Sequence, residues 1–246
     1  MGNSKSQHST TTRLKYACLA LFALAVVLLV YLAMTRVNAS GPAAGATPHP
    51  MPTFGTSEAG TVAAFIGDSY AQGVGATSDA TRWTTLVSDA EGWQQENLGR
   101  GGTGYLATSG PEGCGLDFCP SYDAMVNEAV AGDPDVLVIS GGQNDFNTFV
   151  TARPSVEAAI TKTMTDARTA LPDTRIIVVG PSSPNGIDSN FTAFADTVRE
   201  AAGRIGAEYV DLTTPDVIDP ANVLPDGGHV NDAGHAAIAA RVTAGI

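Results

Sequence analysis

The chain has 246 residues, enough for one large domain or two small ones, and 43% of them are hydrophobic against 15% charged, the balance of a folded chain and not of a disordered one. All 25 acidic residues lie beyond residue 40, with only nine of the 13 basic ones, and the net charge is −12. So acidic a body repels a phosphate backbone, which excludes nucleic acid as an expected partner.

The first 15 residues carry Lys5, Arg13 and Lys15 and no acid, and read as a cytoplasmic segment. Residues 16–36 follow, with an uncharged apolar run from Tyr16 to Met34 that is just long enough to cross a bilayer as a helix. Two readings stay open. One is a permanent transmembrane signal anchor, favoured by the length of the run and by Arg36 behind it. The other is a cleaved signal peptide, for which Val37-Asn38-Ala39 offers a small-x-small site. Both export the rest of the chain, so the expected location is the cell membrane, single-pass with the main domain outside the cytoplasm, or secretion if the segment is removed. Residues 37–61 are rich in Pro, Gly, Ala and Thr, without apolar period, and read as a linker.

From residue 62 to 246 short apolar runs alternate with helical patterns. The expected strands are Val62–Ile66, Gln94–Leu98, Val136–Ser140, Arg175–Val179 and Glu208–Leu212. VLVIS and RIIVV are almost wholly apolar, as parallel strands covered on both faces should be. The expected helices are Arg82–Glu91, Tyr122–Ala131, Ser155–Ala170, Phe191–Ile205 and Ala233–Ala244, the last capped by Asn231 or Asp232. This alternation implies an α/β fold, a doubly wound parallel sheet in one domain.

In such a sheet ligands sit beyond the carboxyl ends of the strands. Those ends carry Gly67-Asp68-Ser69, then Asn97 to Gly104, then Gly141-Gly142-Gln143-Asn144-Asp145, then Gly180-Pro181-Ser182; Asp226-Gly227-Gly228-His229 precedes the last helix. Gly67 is expected to let the chain turn sharply and expose Ser69. A serine hydroxyl needs a base, and the base needs an orienting acceptor. His8 and His49 lie ahead of the domain, and His235 falls inside the last helix as a solvated or packing residue. His229, with Asp226 three residues before it, is the candidate base. Acyl transfer also needs donors for a developing oxyanion, and the Ser69 N–H, the Gly102 N–H and the Asn144 amide are candidates. Asp68 and Asp145 read as loop scaffolding, and Arg100 as the partner of a nearby acid or of an anionic substrate group.

Cys114 and Cys119 form C-x4-C. In an exported protein the first reading is a short-loop disulfide, with free thiols as the alternative; a zinc site lacks further Cys or His nearby.

Taken together, these blocks resemble the SGNH hydrolases, also called the GDSL family of esterases and lipases. Gly-Asp-Ser at 67–69, Asn97 to Gly102, Gly142-Gln143-Asn144-Asp145 and Asp226-x-x-His229 stand in the family's order across about residues 62–244. The resemblance implies a flavodoxin-like fold, with Ser69 as nucleophile, His229 as general base and acid, Asp226 as its orienter, and Ser69, Gly102 and Asn144 as the oxyanion hole. It also implies an acyl-enzyme with neither cofactor nor metal. The expected substrate is a small-molecule, lipid or glycan ester with a short acyl or O-acetyl group. A glycan O-acetyltransferase and a non-catalytic carbohydrate-binding module on the same scaffold are the alternatives. Three departures stand out. Tyr70 replaces the Leu of the family name, Val230 replaces a frequent Pro, and the connection 103–121 is long and is expected to overhang the site.

Overall fold

The computed structural model describes residues 60–246. The expected cytoplasmic segment, the apolar segment with Cys18, the linker through residue 59, His8 and His49 lie outside the described residues. Among the described residues no helix is long and apolar enough to cross a membrane.

Five strands make the sheet: β1 (Val62–Gly67), β2 (Gln94–Asn97), β3 (Val136–Ser140), β4 (Arg175–Val179) and β5 (Glu208–Val210). All pair in parallel, in the order β2-β1-β3-β4-β5. That is the doubly wound order in which the chain reverses direction between β1 and β3, and the cleft at this switch point is where ligands bind. The helices are α1 (Ser69–Gln72), α2 (Trp83–Glu91), α3 (Pro111–Cys114), α4 (Tyr122–Ala131), α5 (Phe146–Ala170), α6 (Ser189–Arg204) and α7 (Asp232–Thr243).

Side chains of one strand alternate between the two faces, and the core divides accordingly. Ala64, Ile66, Leu137, Ile139, Ile176 and Val178 pack with α4, α5 and α6. Ala63, Phe65, Val136, Val138, Ile177 and Val179 pack with Trp83 and Val87 of α2 and with Ile238 and Val242 of α7. Every residue of β3 is buried, which is why its run carries no polar alternation.

Differences from the expected elements are local. β2 ends at Asn97 and β5 at Val210, short of the expected Leu98 and Leu212. α5 begins at Phe146, not Ser155, because a first helical segment precedes Pro154 and joins the rest through a kink at Ala152 (φ −143°, ψ 49°). Proline cannot complete the helical ladder, so the junction falls just before it. The last helix begins at Asp232. Asn231 is the cap that accepts from the Gly234 N–H, whereas Asp232 accepts from Thr77.

Candidate active site

β1 delivers Ser69 to the carboxyl edge of the sheet at the first position of α1, a single turn. Gly67 is required here for close approach: a methyl group on it would sit 2.4 Å from Ser140 Oγ and 2.7 Å from Ala71 Cβ. Its backbone is not in the left-handed region, so packing against β3 and α1, not an unusual turn, demands glycine at this position.

Asp68 is fully buried and caps α1, with its carboxylate 2.9 Å from the Tyr70 N–H. The same carboxylate accepts from the Gly142 N–H at 3.1 Å and the Gln143 side-chain amide at 3.1 Å, and lies 3.2 Å from the Tyr122 hydroxyl. It therefore ties the serine turn to the loop after β3. Burial pushes its pKa up to about 6 against the opposing pull of these donors. Asp145 does the matching work one loop away, accepting from the N–H groups of Tyr105, Leu106 and Ala107. Both acids are scaffolding, as the sequence suggests.

The glycine block is bound to the serine turn by three contacts. The Arg100 N–H donates to Gly67 O at 2.8 Å, the Gly101 N–H to Gln72 Oε1 at 2.7 Å, and the Asn97 amide to Ala71 O at 2.8 Å. Gly102 then takes φ +77°, a conformation that strains any residue with a Cβ. Among the described residues its N–H has no backbone acceptor. The Asn144 amide donates one proton to Thr103 O at 2.8 Å, which fixes its orientation and leaves the other proton for a ligand. Arg100 is spoken for: it makes a two-pronged pair with Glu128 at 2.9 and 2.6 Å.

Before α7 the chain makes an exposed turn. Asp226 Oδ1 accepts from the backbone N–H groups of Gly228 (2.9 Å) and His229 (3.1 Å), while Oδ2 lies 2.8 Å from His229 Nδ1. These contacts, the histidine's first, lower the Asp226 pKa to about 2, so it is a carboxylate throughout the useful pH range. With Nδ1 engaged by an acceptor, Nε2 is the ring nitrogen left for a substrate or nucleophile. The turn meets the serine element through Tyr70, whose ring centroid lies 6.0 Å from that of His229 and whose hydroxyl donates to Gly228 O at 3.1 Å. Among the described residues no hydrogen bond joins Ser69 Oγ to His229; such contacts tighten when substrate binds.

His235 is fully buried, accepting from the Trp83 N–H and contacting Val74 O through its other nitrogen. It is a packing residue that pins α7 to the chain beyond α1. Cys114 and Cys119 are joined in a disulfide. The bridged loop leans on the glycine block: a methyl on Gly101 would sit 2.2 Å from Gly113 O. No group of three or more His, Cys, Asp or Glu side chains among the described residues is arranged to hold a metal ion.

A family model described as the GDSL-like Lipase/Acylhydrolase family matches residues 65–237, most of the described chain. The chain belongs to this family. It is a GDSL-type acylhydrolase, a carboxylic ester hydrolase. No curated protein matches it. Solved structures share its fold. TesA aligns at 18% identity and TM-score 0.57, covering 74% of this chain and 96% of that one. The psychrotrophic esterase EstA from Pseudoalteromonas sp. aligns at 13% identity and TM-score 0.56, covering 75% and 96%. A two-domain esterase, CEX, active on acetylated mannans, aligns at 18% identity and TM-score 0.55, covering 75% of this chain and 48% of that one. Position 70 is where this GDSL hydrolase departs from its family's name, and the contacts of Tyr70 had no signal in the sequence beyond that one substitution.

Proposed function

We propose that the protein is an exported serine esterase that removes short acyl or O-acetyl groups from carboxylic esters through an acyl-enzyme. The observation that carries this reading is the 2.8 Å contact between Asp226 Oδ2 and His229 Nδ1 in a turn tied to the serine element. In the reaction, Ser69 Oγ attacks the ester carbonyl carbon as its proton passes to His229 Nε2. The negative charge that forms on the carbonyl oxygen is met by the N–H groups of Ser69 and Gly102 and by the free amide proton of Asn144. Collapse expels the alcohol, which takes the proton from His229. Water then attacks the acyl carbon with His229 again as base, and the carboxylic acid leaves as Ser69 regains its proton. Asp226 holds the imidazole in the required tautomer and offsets its charge when protonated. None of these steps calls on a cofactor or metal.

Two features bear on the substrate. The disulfide-closed loop beside the glycine block exposes Leu116 and Phe118, at 54% and 63%, which suits a short acyl chain or the apolar face of a sugar ring. A structural relative active on acetylated mannans supports glycan O-acetyl esters as the first class to try. The N-terminal apolar segment, residues 16–36, supports a location outside the cytoplasm, anchored to the membrane or released after cleavage.

The deciding experiment is hydrolysis of p-nitrophenyl acetate by the full-length chain beside Ser69→Ala. The expected result is loss of at least about 10³-fold in kcat. Equal rates would remove Ser69 from the mechanism and the proposal with it.

A further inference from the structure

We infer that Tyr70 is a positioning residue, the tether that fixes the His229 turn over Ser69. The inference rests on the serine-esterase reading above and adds to it the element that holds base and nucleophile in register.

The two halves of the site lie far apart in the chain, and each is a slight structure. Ser69 opens a helix of one turn. His229 sits in an exposed turn whose hydrogen bonds are almost all internal. The Gly227 N–H donates to Leu224 O, the Leu224 N–H donates to His229 O, and Asp226 gathers the N–H groups of Gly228 and His229. Among the described residues, a single hydrogen bond joins residues 224–229 to the rest of the domain, and it comes from the Tyr70 hydroxyl to Gly228 O at 3.1 Å. The donor belongs to the residue after Ser69, and the acceptor to the residue before His229. One bond therefore couples the backbone that carries the nucleophile to the backbone that carries the base.

The rest of the side chain fits this role. Tyr70 is 6% exposed, and its ring packs near both His229, tilted by 35° at 6.0 Å, and His235, tilted by 46° at 6.5 Å. His235 is itself fixed by the Trp83 N–H and Val74 O, so the ring has a rigid backing. Burial, with the Asp68 and Asp226 carboxylates nearby, pushes the phenol pKa well above its ordinary value, so it remains a neutral donor wherever the enzyme is used. A leucine at this position has neither the ring nor the hydroxyl and could not make the bond to Gly228 O.

A misplacement of even 1 Å between reacting groups costs up to about 10²-fold in rate, and a single neutral hydrogen bond is worth about a factor of ten. The test compares the full-length wild type with Tyr70→Phe, Tyr70→Leu and Ser69→Ala on p-nitrophenyl acetate, with thermal unfolding by circular dichroism and rates taken per folded molecule. Tyr70→Phe, which keeps the ring and its packing, is expected to lower kcat by about 10-fold with KM changed less than about twofold. Tyr70→Leu is expected to lower kcat at least as far, and serves as the second variant should the phenylalanine be poorly tolerated. Unchanged kcat in both, with Ser69→Ala inactive, would overturn the tether alone. A raised KM at unchanged kcat would also overturn it, since Tyr70 would then be touching substrate. A wild-type rate no higher than that of Ser69→Ala would overturn the tether and the esterase reading together.

Discussion

Asp226 and His229 form a pair closed on itself: the carboxylate meets the imidazole Nδ1 at 2.8 Å and, through its other oxygen, the histidine's own backbone N–H at 3.1 Å. The side chain of Asp226 is 49% exposed and that of His229 only 26%. Water thus competes for the acid but much less for the base. The orienting contribution should therefore be smaller than for a buried aspartate, where loss of the carboxylate costs about 10⁴-fold. Asp226→Asn is expected to lower kcat by about 10- to 100-fold, with KM near the wild-type value. The depressed Asp226 pKa, about 2, gives a second expectation. Protonation of this acid contributes no break to the pH–rate profile above about pH 3. A steady-state profile of the two proteins checks both.

Gly102 offers a test of the oxyanion hole that separates chemistry from strain. At φ +77°, alanine is strained, and its methyl would also meet Ser109 Oγ at 2.5 Å, so the loop must shift and carry the Gly102 N–H with it. Gly102→Ala is expected to lower kcat by about 10²-fold, the usual cost of one misdirected oxyanion donor. Gly92 closes α2 at φ +69° with open space around the missing side chain. Gly92→Ala should cost a comparable ~1 kcal/mol of backbone strain and leave kcat unchanged. Chemical unfolding with parallel kinetics gives both readings. Equal activity in the two variants would show that the Gly102 N–H is not a donor.

Asp68 makes the stability pH-dependent with a definite sign. Its carboxyl has an ordinary value of 3.8 when exposed and about 6 when buried in the fold. Between those values the folded chain binds a proton that the unfolded chain does not, so this group's contribution falls as pH rises through the window. Asp68→Asn removes the titration. The stability of the variant relative to the wild type should therefore rise between pH 4 and pH 7, read from urea unfolding at each end. A constant difference would mean that the donors from Tyr70, Gly142 and Gln143 outweigh burial and keep the acid ionised.

Much of this architecture was legible in the sequence for a physical reason. β3 and β4 are buried on both faces, so VLVIS and RIIVV announce their bounds. The candidate catalytic segments follow from one rule about where strands end. What was not legible depends on partners far apart in the chain. The Pro154 break hid the first part of α5, because proline usually marks a helix start, whereas here it follows a kinked segment. Asp68 could be named as scaffolding, but not its link to Gly142, and the bond from Tyr70 to Gly228 spans 158 positions with only an unexpected tyrosine to mark it. The alternatives for Cys114 and Cys119, for Arg100 and for His235 were closed by contacts, not by spacing.

The disulfide loop is where specificity should be adjustable. The Ser109 and Cys119 backbones exchange two hydrogen bonds of 2.9 Å, and the Cys114–Cys119 bridge closes the segment between them, with Leu116 and Phe118 at its tip and Gly113 against the glycine block. A cross-link over so short a loop restrains the unfolded chain by about 2 kcal/mol. Its larger effect is local, since the bridge, with the Ser109–Cys119 hydrogen bonds, holds the segment that carries the two apolar side chains. Full reduction, or the double variant Cys114→Ser and Cys119→Ser, should lower kcat/KM for p-nitrophenyl butyrate more than for the acetate, by a factor of about three or more in the ratio. This corresponds to losing roughly one buried methylene's worth of contact with the longer chain. Measuring both esters before and after reduction, with Phe118→Ser as a third arm, separates the loop's position from its chemistry. A ratio unchanged by reduction but lowered by Phe118→Ser would mean the loop keeps its place without the bridge. A ratio unchanged in all three would place acyl recognition elsewhere in the cleft.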